Sequence, residues 1–152
     1  MGEKVETEGN AGATEALPKR HDVHANPAEP KVQDVPVPEG VAKRPVSQKS
    51  PAEWAYERII LYIKKFEETL DAEHEVAMGF TGGDAGVMRI EGMGYFDPDI
   101  VTFYGSDPTG AKTQIIQHVT QLNVMMRALP KAVQAEAPQR IGFRLAEDLE
   151  KV

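Results

Sequence analysis

The clearest hydrophobic pattern in the chain has a helical period and begins just after Ser50. Apolar or aromatic residues recur at steps of three or four, at positions 55, 59, 62, 66 and 70, so they share one face of an α-helix. Ser50, Pro51 and Glu53 stand where a capping box has its N-cap, N1 and N3 residues. The pattern predicts an amphipathic helix over residues 51–72.

Three segments with strand character follow the predicted helix. They cover residues 74–80, 86–96 and 100–105. The gaps between them are short and rich in Gly, Pro and Asp, as hairpin connections require. We therefore predict an antiparallel β-meander with turns at 81–84 and at Asp97-Pro98-Asp99. Gly92 and Gly94 share one face of the middle strand, which indicates either close packing there or a bend.

The segment after residue 111 fits two patterns. Residues 115, 119, 122, 126 and 129 follow helical spacing, and Pro130 comes directly after them. Residues 112–117 are also compatible with a fourth strand. We predict a short strand to about Gln117 followed by a helix to Leu129, with a single helix from Thr113 as the alternative.

A last helix is predicted near the C-terminus. Ile141, Leu145 and Leu149 follow helical spacing after a loop that ends at Pro138. Gly142 weakens the first turn of this helix, because glycine is a poor helix former.

These elements predict an α+β domain over residues 50–152. It has a long N-terminal helix, an antiparallel β-meander of three to four strands, and one or two C-terminal helices packed on one face. Residues 1–49 differ sharply in composition. All ten aromatic residues lie between Trp54 and Phe143, whereas six of the eleven prolines lie in the first 50 positions. We expect an acidic, proline-rich tail that stays disordered, because it has too little apolar surface to bury.

Charge and cysteine content narrow the class of protein. Residues 51–152 carry ten Lys/Arg against sixteen Asp/Glu, a net charge of −6, so we expect no nucleic-acid binding. The chain has no cysteine, which excludes disulfides, thiolate metal sites and a cysteine nucleophile. No secretory signal and no run approaching 18 apolar residues is present. We therefore expect a cytoplasmic protein that does not associate with membranes.

The sequence carries no motif that predicts catalysis, a metal or a cofactor. His74 and His118 are the only histidines of the domain, and they lack the spacing of metal ligands. The glycine-rich segment 81–86 lacks the Gly-Lys-Ser/Thr ending of a phosphate-binding loop and precedes a strand rather than a helix. Asp97 and Asp99 are read as turn residues rather than as paired acid and base.

Amide side chains are dense around His118. If this segment is helical, Gln114, Gln117 with His118, and Gln121 form one polar stripe that is suited to a partner's backbone or to a polar ligand. The alternative is a solvated face, although such faces usually carry more Lys and Glu. The candidate binding residues are Tyr104, Gln117, His118, Gln121 and Asn123.

Three stretches of the chain resemble a family of small uncharacterised bacterial proteins known only as a domain of unknown function. They are Ile100-Val101-Thr102-Phe103-Tyr104-Gly105, Gln117-His118-Val119-Thr120-Gln121-Leu122-Asn123 and Arg140-Ile141-Gly142-Phe143. The resemblance covers residues 51–146 and implies a bacterial origin and a shared fold. It implies no activity, cofactor or catalytic residue.

The sequence favours a non-enzymatic, cytoplasmic interaction or regulatory module. Its partner is either another protein, whose identity the sequence does not give, or a second copy of this chain, as in a homodimer. The alternative is a small enzyme or ligand-binding domain centred on His118, with Gln117, Gln121 and Tyr104 nearby. That alternative requires a concave pocket with His118 in its wall.

Overall fold

The computed structural model describes residues 48–80, 86–131 and 136–149, together with residues 20–21, 34–35, 37–38, 41 and 45. The chain divides into two compact units, one of residues 50–148 and one of residues 1–49 with 149–152. In the latter, strands β1 (Arg20–His21) and β2 (Asp34–Val35) form an antiparallel pair. Most of the predicted tail lies outside the described residues, so its disorder stays a prediction.

Helix α1 (Pro51–Glu67) begins where the sequence predicts. The Glu53 backbone N–H donates to Ser50 Oγ at 3.0 Å, which satisfies one of the free amides of the first turn. The helix ends five residues before the predicted end at residue 72. Thr69 N and Leu70 N bond to carbonyls three residues back, and bonds of this type tighten and close a last helical turn.

Five antiparallel strands form one sheet. They are β3 (His74–Phe80), β4 (Val87–Phe96), β5 (Ile100–Ser106), β6 (Lys112–His118) and β7 (Val124–Pro130). Their order across the sheet is β6-β5-β4-β3-β7. The three predicted strands and the short fourth strand are confirmed, and so is the turn at Asp97-Pro98-Asp99. The predicted turn at 81–84 lies outside the described residues.

The predicted helix ending at Leu129 is wrong, and so is the alternative of one helix from Thr113. Strand β7 occupies this segment and pairs with β3 over seven positions, from His74↔Pro130 to Phe80↔Val124. Val124 and Met126 pack against the core, which is the alternation of a strand. Pairing with a central strand outweighs local helical spacing here, because it satisfies the backbone and buries apolar side chains together.

The connection from β6 to β7 is short for the distance between two sheet edges. It contains a 3-10 turn, Val119–Gln121, so the six steps from His118 to Val124 reach roughly 16 Å. Four strand spacings measure about 19 Å in a flat sheet. The sheet is therefore strongly curved, because this short connection joins the His118 end of β6 to the Val124 end of β7, which the register places at the opposite end of the sheet. Val119 and Leu122 pack against the core as the chain crosses.

Helix α1 covers one face of the sheet, called the inner face below. The core between them contains Ala52, Ala55, Ile63, Val76, Met78, Met88, Ile90, Val101 and Phe103. The rings of Phe80 and Phe103 meet edge-to-face with centroids 4.9 Å apart. Apolar burial between a helix and a sheet is the main source of stability in such a two-layer fold.

A bulge in β4 changes which side chains face α1. The register with β5 shifts between Ile90 and Gly92, so Tyr95 reaches the inner face and packs on Tyr56 with ring centroids 5.0 Å apart. Gly92 and Gly94 face outward, beneath the ring of Tyr104. Both alternatives raised by these glycines, close packing and a bend, occur together.

Helix α2 (Ile141–Leu149) confirms the predicted terminal helix, and it is the single C-terminal helix among the described residues. Gly142 lies so close to α1 that a Cβ atom there would stand 2.7 Å from Ile63 Cγ2. The N–H groups of Gly142 and Phe143 donate to the two carboxylate oxygens of Glu67 at 3.1 and 3.2 Å. A side chain from α1 thus caps α2.

Candidate functional site

The ring of His118 is held by two neighbours at the end of β6. Its Nδ1 lies 3.1 Å from the Thr120 backbone N and 2.8 Å from Thr120 Oγ1. Its Nε2 lies 3.0 Å from Asp99 Oδ2. A backbone N–H can only donate, so Nδ1 is the acceptor, and Nε2–H donates to the Asp99 carboxylate.

Gln121 completes this arrangement from the other end of the 3-10 turn. Its Oε1 accepts a hydrogen bond from the His118 backbone N–H at 2.8 Å. With the bond from Thr120 N to the His118 ring, the two side chains form a reciprocal capping box. His118 and Gln121 therefore shape the turn that leads the chain away from β6.

The five residues singled out in the sequence do not form one cluster. Gln117 faces inward, opposite to His118, and its buried Oε1 accepts no hydrogen bond from the described part of the chain. Asn123 is exposed just before β7. Tyr104 pairs with Gln114, whereas His118 pairs with Ile100, four residues away along β5. Only His118 and Gln121 are brought into contact.

The outer face of the sheet carries an uncharged patch. Three rows of cross-strand neighbours hold no Asp, Glu, Lys or Arg: Phe96, Ile100 and His118; Gly94, Thr102 and Ile116; Gly92, Tyr104 and Gln114. Phe96 is 76% exposed, Ile116 62% and Tyr104 43%. The neutral tautomer of His118 adds no charge. These exposed apolar side chains form a hydrophobic patch on a chain of net charge −7.

An apolar groove lies on the inner side, between α1 and the strands β3 and β7. It encloses about 450 Å³ and is lined by Ala55, Arg58, Ile59, Tyr62, Met78, Leu122, Val124 and Met126. Sequence reasoning missed this groove, because its walls come from segments far apart in the chain. It also assigned Leu122 and Met126 to one helix face, where they would have formed part of a core.

Two buried carboxylates have structural partners. Glu75 is bonded by Arg89 and by the Gln139 backbone N–H. Burial raises the pKa of Glu67, and the N–H groups of Gly142 and Phe143 oppose that rise. Within the described ranges, no three potential ligands are grouped as a metal site would need, and no helix is long and apolar enough to cross a membrane.

Comparison with known proteins identifies a family to which the chain is similar. Residues 47–144 match a family of unknown function, DUF6173. This span agrees with the resemblance seen in the sequence over residues 51–146. No curated protein and no solved structure matches the chain.

Proposed function

The chain belongs to the family of unknown function DUF6173, and we propose that this member is a non-enzymatic interaction module that self-associates through strand β6. The observation that carries the proposal is the combination of an edge strand with an uncharged patch beside it. The proposal also places the protein in the bacterial cytoplasm. Fractionation of the native cell followed by immunoblotting tests that location.

The backbone of β6 supports pairing with another strand. Its one neighbour among the described strands is β5, so a row of N–H and C=O groups points away from the sheet. The strand has seven residues and no proline. Natural proteins usually shorten such an edge or interrupt it, and an edge without those devices pairs readily with another chain.

Two copies of β6 are self-complementary in an antiparallel pair. With the two-fold axis at Ile115, Gln114 of one copy lies opposite Ile116 of the other. The two uncharged patches then join across the axis into one continuous outer face. An interface related by two-fold symmetry requires this kind of self-complementarity.

Charge favours the same register. Lys112 of one copy lies opposite His118 of the other, and Asp99 contacts His118 at 3.0 Å. The Lys112 ammonium therefore approaches an Asp99 carboxylate at both ends of the pair. Because each chain carries a net charge of −7, the two copies repel elsewhere, and contact is least opposed through an uncharged surface.

Sedimentation velocity over a range of protein concentrations tests the proposal with two matched variants. Ile116→Lys removes an apolar cross-strand contact at both symmetry-related positions and makes two ammonium groups diagonal neighbours across the axis, so we expect it to weaken the dimer at least about tenfold. Met125→Lys makes the same change in net charge on β7, where Met125 is 48% exposed, and should leave association unchanged. A monomeric wild type, or equal weakening by both variants, would contradict the proposal.

One observation favours a second candidate function, a small hydrolase. Thr120 Oγ1, the His118 ring and Asp99 Oδ2 follow one another at 2.8 and 3.0 Å, the order of nucleophile, base and orienting acid. Thr120→Val removes the hydroxyl and keeps the backbone bond to His118. Loss of hydrolysis of p-nitrophenyl acetate in this variant would support an enzyme. Equal rates for variant and wild type would reject it.

A further inference from the structure

The apolar groove between α1 and β7 has the chemistry of a ligand site. We propose that it binds a free amphiphilic carboxylate, with the alkyl chain in the groove and the carboxylate on Arg58. This site is separate from the proposed dimer surface, because its lining lies on the inner side of the sheet.

The side chains that line the groove indicate that one part of the ligand is apolar. Six of the eight lining side chains are apolar and come from α1, β3, β7 and the connection after the 3-10 turn. The volume of about 450 Å³ falls in the range of roughly 300–1,000 Å³ found for small-molecule sites. Transfer of a methylene group from water into such a groove strengthens binding roughly threefold to fourfold.

The positive charge of Arg58 indicates that the head group of the ligand is negatively charged. Its Nε donates to the Trp54 carbonyl at 3.3 Å, and its guanidinium lies 4.7 Å from the centre of the Trp54 ring. Stacking and this bond fix the guanidinium fork of Arg58, whose side chain also lines the groove. Within the described residues, no carboxylate forms an ion pair with Arg58.

A carboxylate is the group that this fork binds best. The two terminal nitrogens of a guanidinium match the two oxygens of a carboxylate in a bidentate pair. On a chain of net charge −7, an anion is attracted only where a cation dominates locally. The position of Arg58 at the groove therefore joins charge recognition to the apolar lining, as an amphiphilic anion requires.

Isothermal titration calorimetry of the full chain with decanoate tests the proposal, at concentrations below micelle formation. We expect saturable one-to-one binding, weaker binding of hexanoate by roughly threefold to fourfold for each methylene removed, and little binding of decyltrimethylammonium. The last probe keeps the ten-carbon chain and reverses the charge, so it separates head-group recognition from burial of the alkyl chain.

Two substitutions with the same change in charge complete the test. Arg58→Gln should weaken decanoate binding at least about tenfold, as loss of a charge-assisted hydrogen bond does. Arg127→Gln should leave it unchanged, because Arg127 lies on the outer face opposite Ala77. Equal effects of the two substitutions, equal binding of both ten-carbon probes, or no saturable binding of decanoate would overturn the proposal.

Discussion

The two edge strands of the sheet differ in what the rest of the domain does with them. Strand β7 is built into the fold: Met126 packs on the core, Met125 lies over Gly79, and Arg89 bonds the Pro130 carbonyl. Strand β6 is held by β5 along its length, by Ile115 against the core and by a capping box at its end. Its most exposed apolar residue, Ile116, contributes to the uncharged patch.

This difference shows that an edge strand can serve stability or recognition, and that its neighbours decide which. Truncating a side chain that touches the core lowers the free energy of unfolding, whereas truncating an exposed side chain does not. Substitutions on the β7 side should therefore destabilise the domain. Those at exposed outer positions of β6, such as Ile116, should mainly affect association.

The largest expected effect is that of Gly142→Ala, in the helix that follows β7. A Cβ atom there would lie 2.7 Å from Ile63 Cγ2 and 2.8 Å from Lys64 N. We expect a loss of about 2–3 kcal/mol in the free energy of unfolding, as overpacking costs, measured by urea denaturation. Alanine is the better helix former, so a loss can only come from the close approach.

Gly92→Ala is the matched control for that substitution. Its Cβ would lie 3.7 Å from the Tyr104 ring, an ordinary van der Waals distance. It should change the free energy of unfolding by less than about 1 kcal/mol, as is usual for a substitution that creates no clash. Similar losses for both glycines would show that the helix contact is not specific.

The next effect compares the two edges directly. Met126→Ala on β7 should lower the free energy of unfolding by about 1–2 kcal/mol, because the side chain is partly buried against the core. Ile116→Ala on β6 should stay within about 0.5 kcal/mol, since Ile116 is 62% exposed. Both values must be measured on monomeric protein, at a concentration at which sedimentation detects no dimer. A larger loss of unfolding free energy for Ile116→Ala than for Met126→Ala would contradict this comparison of the two edges.

Gln121→Ala measures how firmly the end of β6 is fixed. The side chain accepts the His118 N–H in the capping box, and loss of a cap costs about 0.5–2 kcal/mol. Thermal denaturation followed by circular dichroism reports the change. Asn123→Ala, at an exposed position two residues later, is the control and should have a smaller effect. A stability equal to that of the wild type would return Gln121 to the candidate binding residues.

The smallest expected effect is a pH dependence from Glu67. Burial raises its folded pKa above the ordinary value of 4.5, so the folded state keeps this proton to higher pH than the unfolded state does. Its contribution to stability is complete below the unfolded pKa and is lost as pH rises through the folded pKa. The difference in unfolding free energy between wild type and Glu67→Gln should therefore fall with rising pH. A difference that rises with pH would contradict the assignment.

The sequence predicts the part of the fold that local chemistry controls. Ser50 and Pro51 mark the start of α1. Strand-like segments separated by short gaps rich in Gly, Pro and Asp identify β3, β4 and β5, and β6 is one of two interpretations of its segment. The predicted end of α1 lies five residues too late, because the apolar stripe continues to Leu70 after the hydrogen bonding has changed. The sequence predicts a helix where β7 lies, because the pairing of β7 with β3 joins residues about fifty positions apart.

The candidate site was predictable only in part, for the same physical reason. His118 and Gln121 are close in sequence, and their contact follows from a local turn. The uncharged patch depends on the register between β4, β5 and β6. The groove depends on where β7 lies, so a sequence analysis that predicts a helix in place of β7 cannot predict the groove.

The central claim, that β6 pairs with itself about Ile115, is tested most directly by directed disulfide formation. The chain has no cysteine, so the double variant Gln114→Cys/Ile116→Cys introduces two thiols that face each other across the proposed axis, within the Cα separation of roughly 4.4–6.8 Å that a disulfide spans. Met125→Cys/Arg127→Cys gives the same spacing on the outer face of β7. Mild oxidation should convert the β6 variant to a covalent dimer and leave the β7 variant monomeric. Equal yields from both variants, or no dimer from the β6 variant, would contradict the account.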